Sequence, residues 1–445
     1  MTRHFKARLG ALFLIMSMVL VACGADPSSP STASVSPAPT QSGPPPVATP
    51  SGETSSPSAS GGVTGPTSSD EIAEIYDAIE KQVDAIRGLK PVAVTRKTID
   101  ADELKQMNQA SFDKDNPPDY VAGNDRLLKA LGLLAEDQSL RDLYLRLIDS
   151  QVLGFYRPDA KTLYVVARSG SITGTDKITF AHEYDHALQD ANFPGLFDEM
   201  KSLLDQSDQA LARAAIFEGD GTLLMTSWAM SNMTPEDMAD YIAASADPTQ
   251  AEIIAQTPPV LVESLMFPYT SGLAFLTPRQ MSGGWAGVDA IYGAPPVSTE
   301  QVMHPEKYDA GEAPIKVELP SDLAANLGSG WKQLLQDTYG EFQMGSWLRG
   351  VGVPTATANA AAEGWGGDRL AVLSGPDGAW AMVMKTAWDS ATDAEEFEAA
   401  AATAAAKAGG SAAVLPGEGG TTRWFVVGSD DSTLARVANI LGLAG

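Results

Sequence analysis

The chain has 445 residues, enough for two or three domains and a sizeable core. Its 30 Lys and Arg face 56 Asp and Glu, a formal net charge of -26. That balance, without clustered cations, excludes a nucleic-acid partner, which needs basic patches to neutralise phosphate; it suits an extracytoplasmic protein kept dispersed by its charge.

Residues 1–22 read as a signal peptide, with Arg3, Lys6 and Arg8 ahead of a short apolar run from Leu9 to Val21. That run is shorter than the about 20 apolar residues of a comfortable membrane span. The run ends in Leu20-Val21-Ala22-Cys23, which resembles the bacterial lipobox. The resemblance implies cleavage before Cys23, lipid attachment there, and a protein held on the cell membrane facing the extracytoplasmic side. Cys23 is the sole cysteine, so an intramolecular disulfide is impossible. Residues 23–69 are nearly all Ser, Pro, Thr, Gly, Ala and Val, a composition expected to form a disordered tether.

Ordered structure is expected from residue 70. Ile72, Ile75, Ile79 and Val83 give helical spacing over Glu71 to Ile86, and further helices are expected over Asp125 to Leu134 and Leu140 to Val152. Gly154 to Tyr156 and Thr162 to Val166 flank a turn at Arg157 to Lys161 and read as a hairpin. Helical spacing returns over Asp176 to Ala191 and Asp208 to Met230. A composition shift near Leu319-Pro320 separates a smaller α+β unit. It is expected to hold a helix around Trp331 to Leu348, a hairpin through Gly375-Pro376-Asp377-Gly378, and an Ala-rich helix from Asp393 to Ala408. A strand at Arg423 to Val427 and a closing helix complete it.

The chemistry concentrates in His182-Glu183-Tyr184-Asp185-His186, an H-E-x-x-H match. Residues four apart share a helix face, so both imidazoles can reach one ion while Glu183 lies beside it. Of the 4 histidines in the chain, His4 belongs to the signal peptide, and two of the remaining three form this motif. A catalytic zinc site needs a third protein ligand. Glu218 is the best candidate, because it interrupts the mostly apolar stripe Leu211, Ala215, Thr222, Met225, where a carboxylate must be paired or bind a metal. Gly219 and Gly221 would allow this helix to approach the metal helix closely.

On His182, Glu183, His186 and Glu218 the chain resembles the gluzincin branch of the zincin metallopeptidases. It also resembles bacterial extracellular proteins that share H-E-x-x-H-A-L-Q-D and a later E-G-D. The gluzincin resemblance spans about Leu140 to Met230. It implies a cleft-lining strand before the metal helix, with Thr162 to Val166 in that place. Two departures stand out. The interval from His186 to Glu218 is long, so Asn192 to Gln206 must form an extra loop or helix. The position where such proteins carry a histidine-orienting Asp is Thr222 here, leaving Asp220 or Asp190 as substitutes.

Two donors are candidates for stabilising charge on the substrate carbonyl oxygen: His304, held extended by Pro305 after a Ser298/Gln301 capping box, and Tyr269. Each also has a structural reading, as a hydrogen-bonded histidine and a core aromatic. Gly283-Gly284-Trp285 and Gly364-Trp365-Gly366-Gly367-Asp368-Arg369 read first as tight turns packed around an aromatic anchor, with a substrate-contacting rim as the other reading.

The expectation is therefore α+β: a mainly helical zincin-like metallopeptidase domain over residues 70–320 with a small sheet, then an α+β domain over 321–445. The function expected is a membrane-anchored zinc (Zn2+) peptidase acting on a peptide or protein substrate, with Glu183 as general base. The alternatives are an inactive zincin-fold binding or scaffolding lipoprotein and a zinc hydrolase acting on cell-wall peptides. Whether the segment before the hairpin is a removable prosegment stays open.

Overall fold

Two hydrophobic patterns divide the chain, helical spacing in the first part and strand alternation in the last, and the fold follows them. The computed structural model describes residues 69–166, 171–200 and 202–443. The signal peptide, Cys23 and the tether up to residue 68 lie outside the described residues. The fold is α+β.

The first part runs α1 (Ser69–Arg87), β1 (Thr95–Ile99), α2 (Ala101–Asp115), α3 (Pro118–Ala130), α4 (Leu140–Gln151), β2 (Gly154–Arg157) and β3 (Thr162–Val166). Then come α5 (Gly174–Asn192), α6 (Leu196–Met200), α7 (Ser207–Asn232), α8 (Pro235–Ser245), α9 (Pro248–Gln256), α10 (Pro259–Gly293), α11 (Thr299–Met303) and α12 (Pro305–Ala310), followed by α13 (Leu323–Leu327), whose Leu323 and Leu327 pack on the sheet of the last part. α6 fills the long interval between His186 and Glu218. The hairpin pairs Phe155 with Tyr164 and Tyr156 with Leu163, and β1 adds in parallel to β3, giving the order β1-β3-β2. β3 is thus central, and β2 is an edge.

α1 buries Tyr76, Ile79 and Val83, with Tyr76 stacked on Phe180 of α5 at 4.0 Å. α10 is the one helix among the described residues long and apolar enough to cross a membrane by length and composition. Its inner face nevertheless packs along α7. Gly272 meets α7 so closely that a Cβ there would stand 1.9 Å from the Ala215 carbonyl oxygen. Pro268 and Pro278 interrupt its backbone ladder, and Gly284, at φ 63°, breaks it within the Gly-Gly-Trp word.

The last part comprises β4 (Lys332–Asp337), α14 (Gly340–Gly350), α15 (Thr355–Ala362), β5 (Trp365–Ser374), β6 (Trp380–Trp388), α16 (Ala391–Ala405), β7 (Ser411–Pro416), β8 (Thr422–Gly428) and α17 (Asp431–Ile440). Its antiparallel sheet has the order β4-β5-β6-β8-β7. Side chains alternate between two cores as the pleat requires. Leu370, Val372, Met382, Met384, Phe425 and Val427 face one core, while Ala371, Leu373, Ala381, Val383, Trp424 and Val426 face the other. Leu127, Ala130 and Leu131 of the first part join the former, so α3 and the residue that follows it are built into the second unit.

The single helix expected around Trp331 to Leu348 is instead strand β4 followed by α14. The break falls at Gly340, whose φ of 81° no continuous helix accommodates. The hairpin at Gly375 to Gly378, the Ala-rich helix, the strand at Arg423 to Val427 and the closing helix all form.

Candidate metal centre

α5 is started by a capping box: Thr173 accepts from the Asp176 backbone N–H, and Asp176 accepts from that of Thr173. Phe180, Tyr184 and Leu188 bury one face of the helix. The face turned to α7 carries His182 and His186, both fully buried. α7 is apolar for most of its length and offers one carboxylate at this level, Glu218.

The three donor atoms converge. His182 Nε2 lies 2.9 Å from His186 Nε2 and 3.1 Å from Glu218 Oε2, and His186 Nε2 lies 3.4 Å from that same oxygen. Ligands about 2.0–2.1 Å from a tetrahedral zinc ion stand roughly 3.3 Å apart. The observed triangle is close to that size, so the chemistry of the donor set fits an ion. These residues form a group that could hold a metal ion.

Electrostatics within the group are complementary. Burial disfavours the His186 cation, but the Glu218 carboxylate more than offsets this, and the ring is pushed up to about 9. Burial would raise Glu218, yet His186 and His182 outweigh it and hold the carboxyl down at about 2.

Each histidine is fixed differently. Gly221 lies against His182, where a Cβ would stand 2.7 Å from the ring Cε1, and the Tyr269 ring lies 6.2 Å away on the α10 side. His182 Nδ1 makes no hydrogen bond. His186 Nδ1 instead meets Gln189 Oε1 at 2.9 Å. Neither acidic residue expected to orient a histidine does so. Asp190 accepts from Tyr156 and Lys161. Asp220 accepts from Arg87 at 2.8 Å and Tyr292 at 2.7 Å, and the Thr222 hydroxyl bonds to neither ring. Gln189 was legible in principle, because position i+3 from His186 shares its helix face.

Of the two glycines expected to admit the metal helix, only Gly221 does so. Gly219 faces α10, where its Cβ would stand 2.4 Å from the Gly272 carbonyl carbon.

Glu183 is buried beside β2: a Cβ on Gly154 would lie 3.4 Å from its Cγ. The strand against this glutamate is therefore the edge strand β2.

Tyr269 is buried against the group, whereas His304 is engaged elsewhere. His304 Nε2 meets Glu341 of α14 at 2.8 Å, and that hydrogen bond raises the imidazole pKa. No hydrogen bond, ion pair or ring contact joins His304 to the three donors. Its helix has half of the expected capping box, since Ser298 accepts from the Gln301 N–H while the Gln301 side chain takes the Val297 N–H.

A second acidic group, Glu300, Glu312 and Asp389, is of a different kind. The Lys307 ammonium sits among these carboxylates at 2.6, 3.0 and 2.8 Å and supplies their counter-charge.

Among comparisons with known proteins, residues 332–439 match a family described as a domain of unknown function, DUF8575. That match covers β4 through most of α17 and lies wholly outside the three-donor group. No curated protein matches the chain. No solved structure matches it.

Proposed function

We propose that this chain is a zinc-dependent peptidase of the zincin type, with His182, His186 and Glu218 as metal ligands and Glu183 as general base. The observation that carries the reading is the convergence of three donor atoms from two helices, 2.9 to 3.4 Å apart, with Glu183 buried next to them. Unlike the Glu300 group, this one has no lysine or arginine ion-paired to it among the described residues. We further propose that lipid on Cys23 holds the enzyme on the outer face of the cell membrane.

Zinc in this site would supply Lewis-acid polarisation of the scissile carbonyl and acidify water near neutral pH. The chain's own groups do the rest. Glu183 takes the proton of the attacking water on its carboxylate and returns it to the leaving amine. Tyr269, whose ring lies 6.2 Å from that of His182, would be the donor to a developing oxyanion. Gln189 accepts from His186 Nδ1 and so leaves Nε2 for the ion.

A second reading is a binding or scaffolding lipoprotein of the same fold. It is favoured by burial, since His182, Glu183 and His186 are all 0% exposed. Peptide-mixture digestion followed by mass spectrometry separates the two. The peptidase reading expects zinc-dependent cleavage that falls about 10²–10⁴-fold in Glu183→Gln while bound zinc is retained. Zinc retained by both proteins with no cleavage by either supports the second reading. Cleavage confined to cell-wall cross-link peptides would narrow the substrate class.

A further inference from the structure

Arg87 ends α1, outside the helix pair that carries the three donors, yet its side chain is completely buried. Its guanidinium lies among carboxylates from three other helices: Asp220 of α7 at 2.8 Å, Asp289 of α10 at 2.6 Å and Asp185 of α5 at 3.6 Å. The Trp285 ring covers it at 4.8 Å. Burying an arginine is costly unless such partners surround it. Here the carboxylates outweigh desolvation, and the group stays charged.

The 3.6 Å ion pair with Asp185, and the hydrogen bonds that start from the other oxygen of that carboxylate, lead from this cation to the metal centre. Asp185 Oδ2 accepts from Gln189 Nε2 at 2.7 Å, and the same amide nitrogen donates to the Phe217 carbonyl at 3.2 Å. With both acceptors at the nitrogen end, Gln189 must turn Oε1 toward His186 Nδ1, 2.9 Å away. An amide oxygen only accepts, so Nδ1 carries a proton, and Nε2, which faces His182 and Glu218, is the nitrogen that would give its lone pair to an ion. The tautomer of His186 is thus set by Gln189, Gln189 by Asp185, and Asp185 by the one cation paired with it.

We propose that Arg87 is a positioning residue of the metal centre, acting through Asp185 and Gln189 to hold His186 with Nε2 toward the ion. This rests on the reading that the three donors bind a metal. It also makes α1 part of the working site rather than a removable prosegment: loss of α1 would leave Asp185, Asp220 and Asp289 without their shared cation.

The test uses the full chain with every histidine labelled by nitrogen-15, and Zn2+ and cadmium-113 as probes. In the parent, cadmium coupling at His186 is expected on Nε2, with a slowly exchanging Nδ1 proton; coupling on Nδ1 overturns the proposal. Arg87→Met and Gln189→Met are each expected to weaken zinc binding about 10–100-fold, the cost usual for losing a group that orients a metal-bound histidine. Each should also expose the Nδ1 proton to rapid exchange. Because both act on one line, the double variant should bind no more than about twofold more weakly than the worse single variant. Affinity within twofold of the parent, or fully additive losses, overturns the proposal. Should Arg87→Met fail to fold, Arg87→Lys carries the same comparison, keeping the charge without the fork, with an intermediate loss expected. A parent that folds but binds neither metal overturns the underlying metal reading, an outcome distinct from a parent that binds while the variants do not differ from it.

Discussion

The helix that carries Glu218 opens on a second buried carboxylate, Asp208, and the two ends of this one element are built on opposite principles. Asp208 sits where α7 meets the second unit. It accepts from the Thr299 N–H at 3.0 Å and the Thr299 hydroxyl at 2.5 Å, and Gly340 presses on it so closely that a Cβ would meet Oδ1 at 1.9 Å. Nearby, Asp337 accepts from Ser207, and Asp368 from the Tyr339 and Gly340 backbone N–H groups. Burial with mainly neutral donors pushes Asp208 well above the usual carboxylate range, Asp337 up to about 7 and Asp368 up to about 6. Glu218 is held at about 2 by two imidazoles instead. A carboxylate that caps structure spends its lone pairs on local N–H and O–H groups, whereas one that binds an ion shares a single point with other ligands.

The sharpest way to break this comparison is to add one methyl group at each end. Gly221→Ala places a Cβ 2.7 Å from the His182 ring. It is expected to weaken zinc binding at least tenfold in a zinc titration, the scale of a displaced ligand support. Gly340→Ala combines a φ of 81° with the 1.9 Å clash on Asp208. It should cost about 1–3 kcal/mol in a urea unfolding curve and leave zinc affinity within twofold. Exchange of these two phenotypes would show that the ends are not specialised as described.

A smaller effect is expected in the pH dependence of the metal-free protein. His186 is raised in the fold to about 9, so its stabilisation is complete below the unfolded value near 6.5 and is lost as pH rises through 9. Glu218 is lowered to about 2, so its contribution is present above about 4.5 and is lost as pH falls through 2. Glu218→Gln should therefore destabilise the metal-free chain most between about pH 4.5 and 6.5, and least above about 9. A difference from the parent that does not change with pH would contradict the pairing.

The junction carboxyls work in the opposite sense. Asp337 and Asp368 keep protons in the fold that the unfolded chain releases near 3.8, so they favour folding at low pH. Their contribution weakens as pH rises from about 4 toward 6 or 7. Asp337→Asn should flatten this part of the stability profile, measured as urea midpoints from pH 4 to 8. The smallest effect belongs to Asp190→Asn, which acts only on Tyr156 and Lys161. Zinc affinity there should stay within twofold.

What the sequence made legible follows the range of the interactions. H-E-x-x-H is local, and so is the interruption of an apolar stripe by Glu218; both lead to the residues that meet. The hairpin at Arg157 to Lys161 was readable because its turn and alternation lie within a few residues. Gln189 carried a local signal too, but a glutamine beside Asp185 and Asn192 on its helix face looks like surface until its partners are known. Arg87 carried none: its partners Asp185, Asp220 and Asp289 come from helices far along the chain. Pro268 and Pro278 interrupt the local helical pattern of α10, and packing on α7 spans them. In β4, Leu334 and Leu335 suit a helix as well as a strand, and pairing with β5 decides between them.

The central claim, that His182, His186 and Glu218 hold one ion, is tested most directly by elemental analysis of the purified chain beside Glu218→Ala. The account predicts close to one zinc per parent chain and a sharp loss in the variant, with both proteins folded. A folded parent that takes up no zinc when the metal is supplied, or a variant that keeps its full complement, would contradict it.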